Sequence, residues 1–451
     1  MPEEYEVNSL NKQLTPKRYL KKIGTAFVGG DFTGNARGAN ALDIQSSRSA
    51  VTQVASGANS SAIGYRNTAS GEESSAIGYS NTASGVVSSA IGYDNTASGY
   101  YYSSAIGYGN TASGVASSAI GYDNIVSGYY SSAIGYRNTA SGISSSAIGY
   151  DNIASGNYSS AIGYRNTASG YYYSSAIGYG NTASGGGSSS AIGYENTASG
   201  YSSSAIGYRN TASGNYSSAI GYDNIASGNY SSAIGYENTA SGYYSSAIGY
   251  SNTASGGSSS SAFGYQNAAS GNYSSAFGYQ NTASGYYSSA IGYSNTASGV
   301  VSSAIGSFAN SSIYGEIALN NSNTATSEQI SKFVLRKTTT NATQTTLSLS
   351  EGTQNLVLPS DTHLGFTCKV MGVSSAGVTN MYTFRGFIKN VGGTTTLSTT
   401  VVKEEFEEDT DWDATIEAND TTDSMDIKVT GEVATTIKWA ATLDCVKIDN
   451  S

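Results

Sequence analysis

SAIGYRNTASGISS, residues 132–145, is one copy of a sentence that the chain repeats with little change. Its glycine returns from Gly64 to Gly306 at intervals of 14 or 15 residues. A unit this short cannot hold a helix pair or a propeller blade. At about 3.3 Å per strand residue it fits one turn of a coil made of two short strands and two tight corners. Equivalent residues then stack at about 4.8 Å, so the 17 steps from Gly64 to Gly306 predict a rod about 80 Å long.

Strand alternation puts Ser61 and Ile63 on one face and Ala62 and Gly64 on the other. Burial of the larger apolar group places Ile63, Ile77 and Ile134 in the interior. The face carrying Gly64, Gly78 and Gly135 is then flat and open to the close approach of another backbone. One buried Ile contributes about 1.5–3 kcal/mol, whereas fixing 14 residues costs at least about 14 kcal/mol of backbone entropy. So thin a coil calls for a partner, and a homo-oligomer is expected.

Asn67, Asn81 and Asn138 occupy equivalent positions, where stacked amides form a ladder and Asn supplies a left-handed corner. The residue before each Asn alternates in charge at Asp123, Arg137, Asp151 and Arg165, so that neighbouring rungs attract. Acids repeated along a rod serve no single pocket, which argues against catalysis. Tyrosine follows every motif glycine from Tyr65 to Tyr293. A second group fills the variable corner after Ser-Gly, as at Tyr100–Tyr102 and Tyr171–Tyr173. These rings either stack on sugars or cover the rod. Thr68, Thr82 and Thr96 form a rank, but in the order Thr-Ala-Ser and without the Thr-x-Thr array of an ice-binding solenoid.

The 451 residues include 55 Gly, 38 Tyr and 3 Pro, with only 12% charged. Such a composition also suits a disordered aromatic tract, but disorder has no reason to keep Ile, Gly and Asn in register. The net charge is −10, which excludes a polyanion-binding surface; the densest basic cluster, Pro16–Lys22, is a short solvated or docking segment. No nucleic-acid partner is expected. The start, Met1-Pro2-Glu3-Glu4-Tyr5-Glu6, has neither the basic head nor the apolar core of a secretory signal, and no apolar run is long enough to span a bilayer. Synthesis in the cytoplasm without membrane insertion is expected.

Five segments are legible: residues 1–24, charged, with a short helix from Thr15 and Pro16; a Gly-rich transition, 25–56; the repeats, 57–306; a neck, 307–330; and 331–451, whose alternating runs predict a compact antiparallel β-sandwich. Within this last domain Trp412 stands in the acidic run Glu404–Asp413 and is expected to be exposed, so Trp412, Tyr382 and Asp411 are the receptor-contact candidates. Asp409, Asp411 and Asp413 have calcium-loop spacing but lack the Gly and closing Glu of an EF-hand, which reads as a solvated loop. Trp439 belongs to the core. His363 is the lone histidine, too few for a zinc centre, and no cofactor is implied. Cys368 and Cys445 read as buried free thiols, with a disulfide between them as the alternative.

The repeat SSAIGYRNTASG resembles that of the head domain of YadA-type trimeric adhesins, whose coils carry a sequence close to Asn-Ser-Val-Ala-Ile-Gly. The Ala-Ile-Gly core is shared, and Ser61 stands where that family has Val. The resemblance implies a left-handed parallel β-roll and a homotrimer. Such adhesins carry a signal peptide and a membrane-anchoring barrel, neither of which is expected from the residues of this sequence. The stretch GNARGANALDIQSSRSAVTQVASGANSSAIG, residues 34–64, is similar to the entry into the roll of bacteriophage tail fibres. That resemblance implies a virion component whose N-terminal segment binds a tail or baseplate protein and whose C-terminal domain binds a host surface glycan. The rival expectations are a tailspike that cleaves polysaccharide with paired carboxylates and a bacterial surface adhesin.

Overall fold

The computed structural model describes residues 21–23, 25–30, 33–322, 328–350 and 354–449. The helix expected at Thr15 and Pro16, and the basic cluster up to residue 20, lie outside them, while Lys21 and Lys22 fall in the strand Lys21–Ile23; the described residues contain strands and turns but no helix. The chain forms two compact units, residues 1–221 and 222–451. Repeats run through both, and only the second carries the antiparallel domain.

In each unit a repeat is one turn of a parallel β-solenoid. Residues Ser132–Tyr136 form the long strand and Thr139–Ala140 the short one. The next coil lies on the first in strict register, with Ala133 opposite Ala147 and Ile134 opposite Ile148. The short strands pair likewise, Thr139 with Ile153. Parallel stacking extends past the repeats on both sides, from Ala26–Gly30 on Leu42–Gln45 to Ile317–Asn321 on Ser303–Ser307.

The alternation is as the sequence implies, but the faces are reversed. Ala133 and Ala140 are fully buried, whereas Ile134 is 39% exposed. Ile63 and Ile77 are also only partly buried. The cause is the length of the turn: the long and short strands face each other across a gap filled by Ala, Ser and Asn side chains, so Ile goes outward. The flat face is therefore the interior. A Cβ on Gly149 would lie 2.1 Å from the carbonyl oxygen of Gly163 in the next coil of the same chain, so the close approach required at that position is made by the chain's own backbone.

The asparagine ladder forms and is fully buried. Asn152 donates its backbone N–H (3.0 Å) and its side-chain amide (2.9 Å) to Oδ1 of Asn138. Its Nδ2 also donates to the carbonyls of Ile148 (3.0 Å) and Gly163 (2.8 Å). Each buried amide thus finds partners, as a low-dielectric interior requires. The left-handed corner does not belong to Asn. It falls on the preceding residue, with φ near +53° at Arg137 and +52° at Asp151.

Both ends of the solenoid are capped within their own unit. At the start, the Gln45 side chain takes the place of a missing Asn and accepts the N–H of Asn67 (2.6 Å). Behind it the buried carboxylate of Asp43 is held by Arg37 and Arg48, each at 2.7 Å. At the other end Gln329 bonds both the N–H and the C=O of Asn310. There the buried Glu316 accepts from Ser331 (2.6 Å) and from the N–H groups of Ser312 and Ile313, and Lys447 lies 3.5 Å away. Solenoids require such atypical terminal turns.

The C-terminal domain is a sandwich. One sheet is built of Glu328–Thr339, Ile437–Asp449, Thr362–Ser374, Thr379–Val391 and Val402–Glu407, each antiparallel to the next. A smaller sheet centres on Ser424–Thr430. Phe333, Leu364, Val370 and Trp439 of the first sheet pack with Leu347, Ile416 and Ile427 of the second. Cys368 and Cys445 are free and buried; desolvation pushes the Cys368 thiol up to about 12.

Candidate functional surfaces

Two surfaces stand out, one on the shaft and one on the terminal domain. On the shaft the long strands present ranks of Ser, Ile and Tyr outward. The tyrosines stack ring on ring: Tyr65 and Tyr79 at 4.9 Å, Tyr108 and Tyr122 at 4.8 Å, Tyr236 and Tyr250 at 4.9 Å, with interplanar angles of 10° or less. Faces buried against one another are closed to sugar, so this ladder offers only edges and hydroxyl groups. Partial burial and the neighbours Tyr79 and Tyr108 raise the Tyr93 pKa; at Tyr122 the first cause is Asp123. In the variable corner the tyrosines are more exposed, 66% at Tyr100 and Tyr171. Many occupy a second left-handed position, such as Tyr130 and Tyr158 with φ of +56° and +55°. That conformation is uncommon for an aromatic residue, and nothing in the sequence pattern announces it.

The charge ladder is present on the solvent side. Asp151 lies 3.7 Å from Arg137 and 3.9 Å from Arg165, and Asp123 occupies the equivalent rung one coil before Arg137. The repeat residues Ile63, Gly64, Asn67, Ile77, Gly78, Asn81, Ile134, Gly135 and Asn138 all lie in the coil, although Ile faces out.

In the terminal domain two of the three contact candidates are core residues. Trp412 is 1% exposed and meets Trp439 edge to face, with ring centroids 5.7 Å apart. Tyr382 is fully buried and donates its hydroxyl to the carbonyl of Trp412 (2.8 Å); desolvation raises its pKa. The acidic residues around Trp412 suggested solvent, but the strand Asp413–Asn419 that follows enters the second sheet and draws the indole inward. Asp411 is exposed, with its N–H donated to Asp409 (2.9 Å). Asp413 pairs instead with Lys403 (2.7 Å).

The exposed aromatic in the acidic run is Phe406, 68% exposed on the edge strand Val402–Glu407. In register it faces Met381, which faces Met371. These two methionines are 43% and 46% exposed. The row Met371, Met381 and Phe406 is bordered by Glu404, opposite Thr383 on the same strands. All six residues of this strand are exposed; charges on both of its faces, Glu404 on one and Lys403, Glu405 and Glu407 on the other, were the available signal that neither enters the core.

A coil of about 14 residues with an inward Ala, an outward Ile, a glycine pressed on the next coil and a buried Asn ladder is a specific object. The YadA head domain repeat matches this chain in successive windows from residues 55–81 to 283–309, more than half of its length. The chain belongs to the YadA head-repeat family. Its YadA repeats are thus the parallel solenoid, and the family match ends before the terminal sandwich. No curated protein matches the chain. No helix among the described residues is long and apolar enough to cross a membrane.

Proposed function

We propose that the protein is a homotrimeric tail fibre of a tailed bacteriophage, whose YadA-type shaft holds out a terminal domain that adheres to a host surface glycan. The observation that carries the fibre reading is the outward Ile rank. Coils with Ala interiors have no large core of their own, and an apolar face repeated in every coil favours burial among identical chains. Residues 1–24 attach to the tail or baseplate. Stacked coils add length without new folding problems, since each contacts its neighbours only. Three tips per fibre turn weak contacts into firm adhesion. The far row of the tip, Met371, Met381 and Phe406 with the exposed Asp411 nearby in sequence, supplies contact chemistry, and we assign the protein no enzymatic role.

A second reading, a bacterial surface adhesin, is favoured by the family itself. Electron microscopy with antibody against residues 331–451 separates the two. Label at the distal ends of fibres on tailed particles is expected; label on the bacterial envelope with none on particles overturns the phage assignment. New reducing ends in host polysaccharide incubated with the protein would overturn the non-enzymatic one.

A further inference from the structure

The Ile rank does not stop where the repeats stop. In the second unit Ile291 pairs with Ile305, Ile305 with Leu319, and Leu319, across the turn into antiparallel pairing, with Ile330. The row then crosses the tip sheet: Ile330 faces Val446, Val446 faces Gly365, and Gly365 faces Phe387. Ile330, Val446 and Phe387 are 48%, 57% and 54% exposed. A groove of about 500 Å³ follows the junction, lined among others by Ile305, Leu319, Ile330 and Val446.

We infer that this row is a self-association surface, so that the terminal domains of the fibre are joined to each other through the outer face of the larger sheet. The inference rests on the proposal that the shaft self-associates through its Ile face. Three observations select a second copy of the chain as the occupant. The row is continuous in register with the shaft rank, so chains that meet along one are carried onto the other. Its members are apolar, and the polar groups on the adjacent row are already engaged, with Lys332 2.8 Å from Asp444. At its centre Gly365 has open space where a side chain would stand, its nearest neighbour being the Val446 carbonyl oxygen at 4.0 Å, which leaves room for another chain to approach closely. The row Met371, Met381 and Phe406 lies six residues farther along the strands, about 20 Å away, and stays free for the receptor.

The test uses the full-length chain with single cysteines and a cysteine-reactive bifunctional crosslinker, read on denaturing gels; the unsubstituted chain, whose two thiols are buried, gives the background. Ile148→Cys reports on the shaft, Val446→Cys on the tip row and Phe406→Cys on the far row. The inference predicts that Ile148→Cys and Val446→Cys shift the band to twice the chain mass, while Phe406→Cys leaves it unmoved. A shift with Ile148→Cys but not Val446→Cys overturns the tip interface and leaves the shaft proposal standing. No shift with either overturns both.

Discussion

One coil of the shaft and the core of the tip are held by different forces. The coil interior is Ala, Asn and Ser, and its strongest elements are hydrogen bonds and backbone contact between turns. The tip buries Trp412, Trp439, Phe333 and several Leu and Ile side chains between two sheets. The first depends on repetition and on what covers its Ile face; the second is a conventional hydrophobic core that stands by itself. Substitutions should therefore fail in different ways in the two regions.

The largest effect is expected at the shaft backbone. Gly149→Ala puts a Cβ 2.1 Å from a carbonyl oxygen that cannot retreat, at φ of +121°. A destabilisation above about 5 kcal/mol is expected, visible as new protease cleavage near residue 149 with the tip still folded. Trp412→Ala is the counterpart in the tip. It should cost about 3–5 kcal/mol and lower a separate calorimetric transition while the shaft transition stays put. If both transitions move together, the regions are not independent.

Asn152→Ala removes one rung and leaves buried N–H and C=O groups unmatched, for about 1–3 kcal/mol. Protection of the Asn166 amide from hydrogen exchange should fall with it. Alkali sharpens the same contrast. The raised pKa values of Tyr93 and Tyr122 mean that the folded shaft favours the neutral phenol. This contribution is full below the ordinary phenol value of about 10 and is lost as pH rises through the folded values, so strand content should fall as phenolate absorbance rises. The smallest effect belongs to Asp151→Asn. Its pairs with Arg137 and Arg165 are long and solvent-exposed, so the loss should lie within about 0–1 kcal/mol and vanish at high salt.

Much of this was legible in the repeat. Its period fixed the coil, the even spacing of Ala62 and Gly64 fixed which residues share a face, and the recurring Asn announced a ladder. What the repeat does not carry is the distance between the two strands, and that distance decides that Ala, not Ile, lies inside. The left-handed positions were equally hidden, because they fall on variable residues such as Arg137 and Tyr158, and only a few coils, as at Gly109, Gly180 and Asn59, carry a residue that favours the conformation. In the tip, local acidity around Trp412 misled, since burial there is set by the partner Trp439 from a distant strand. Phe406, on an edge strand six residues before, was the aromatic left outside.

Sedimentation of the full-length chain tests the central claim most directly, that coils with Ala interiors persist because copies of the chain bury one another's Ile faces. The account predicts one species of three times the chain mass with full strand content. A stable single chain with the same strand content would contradict it.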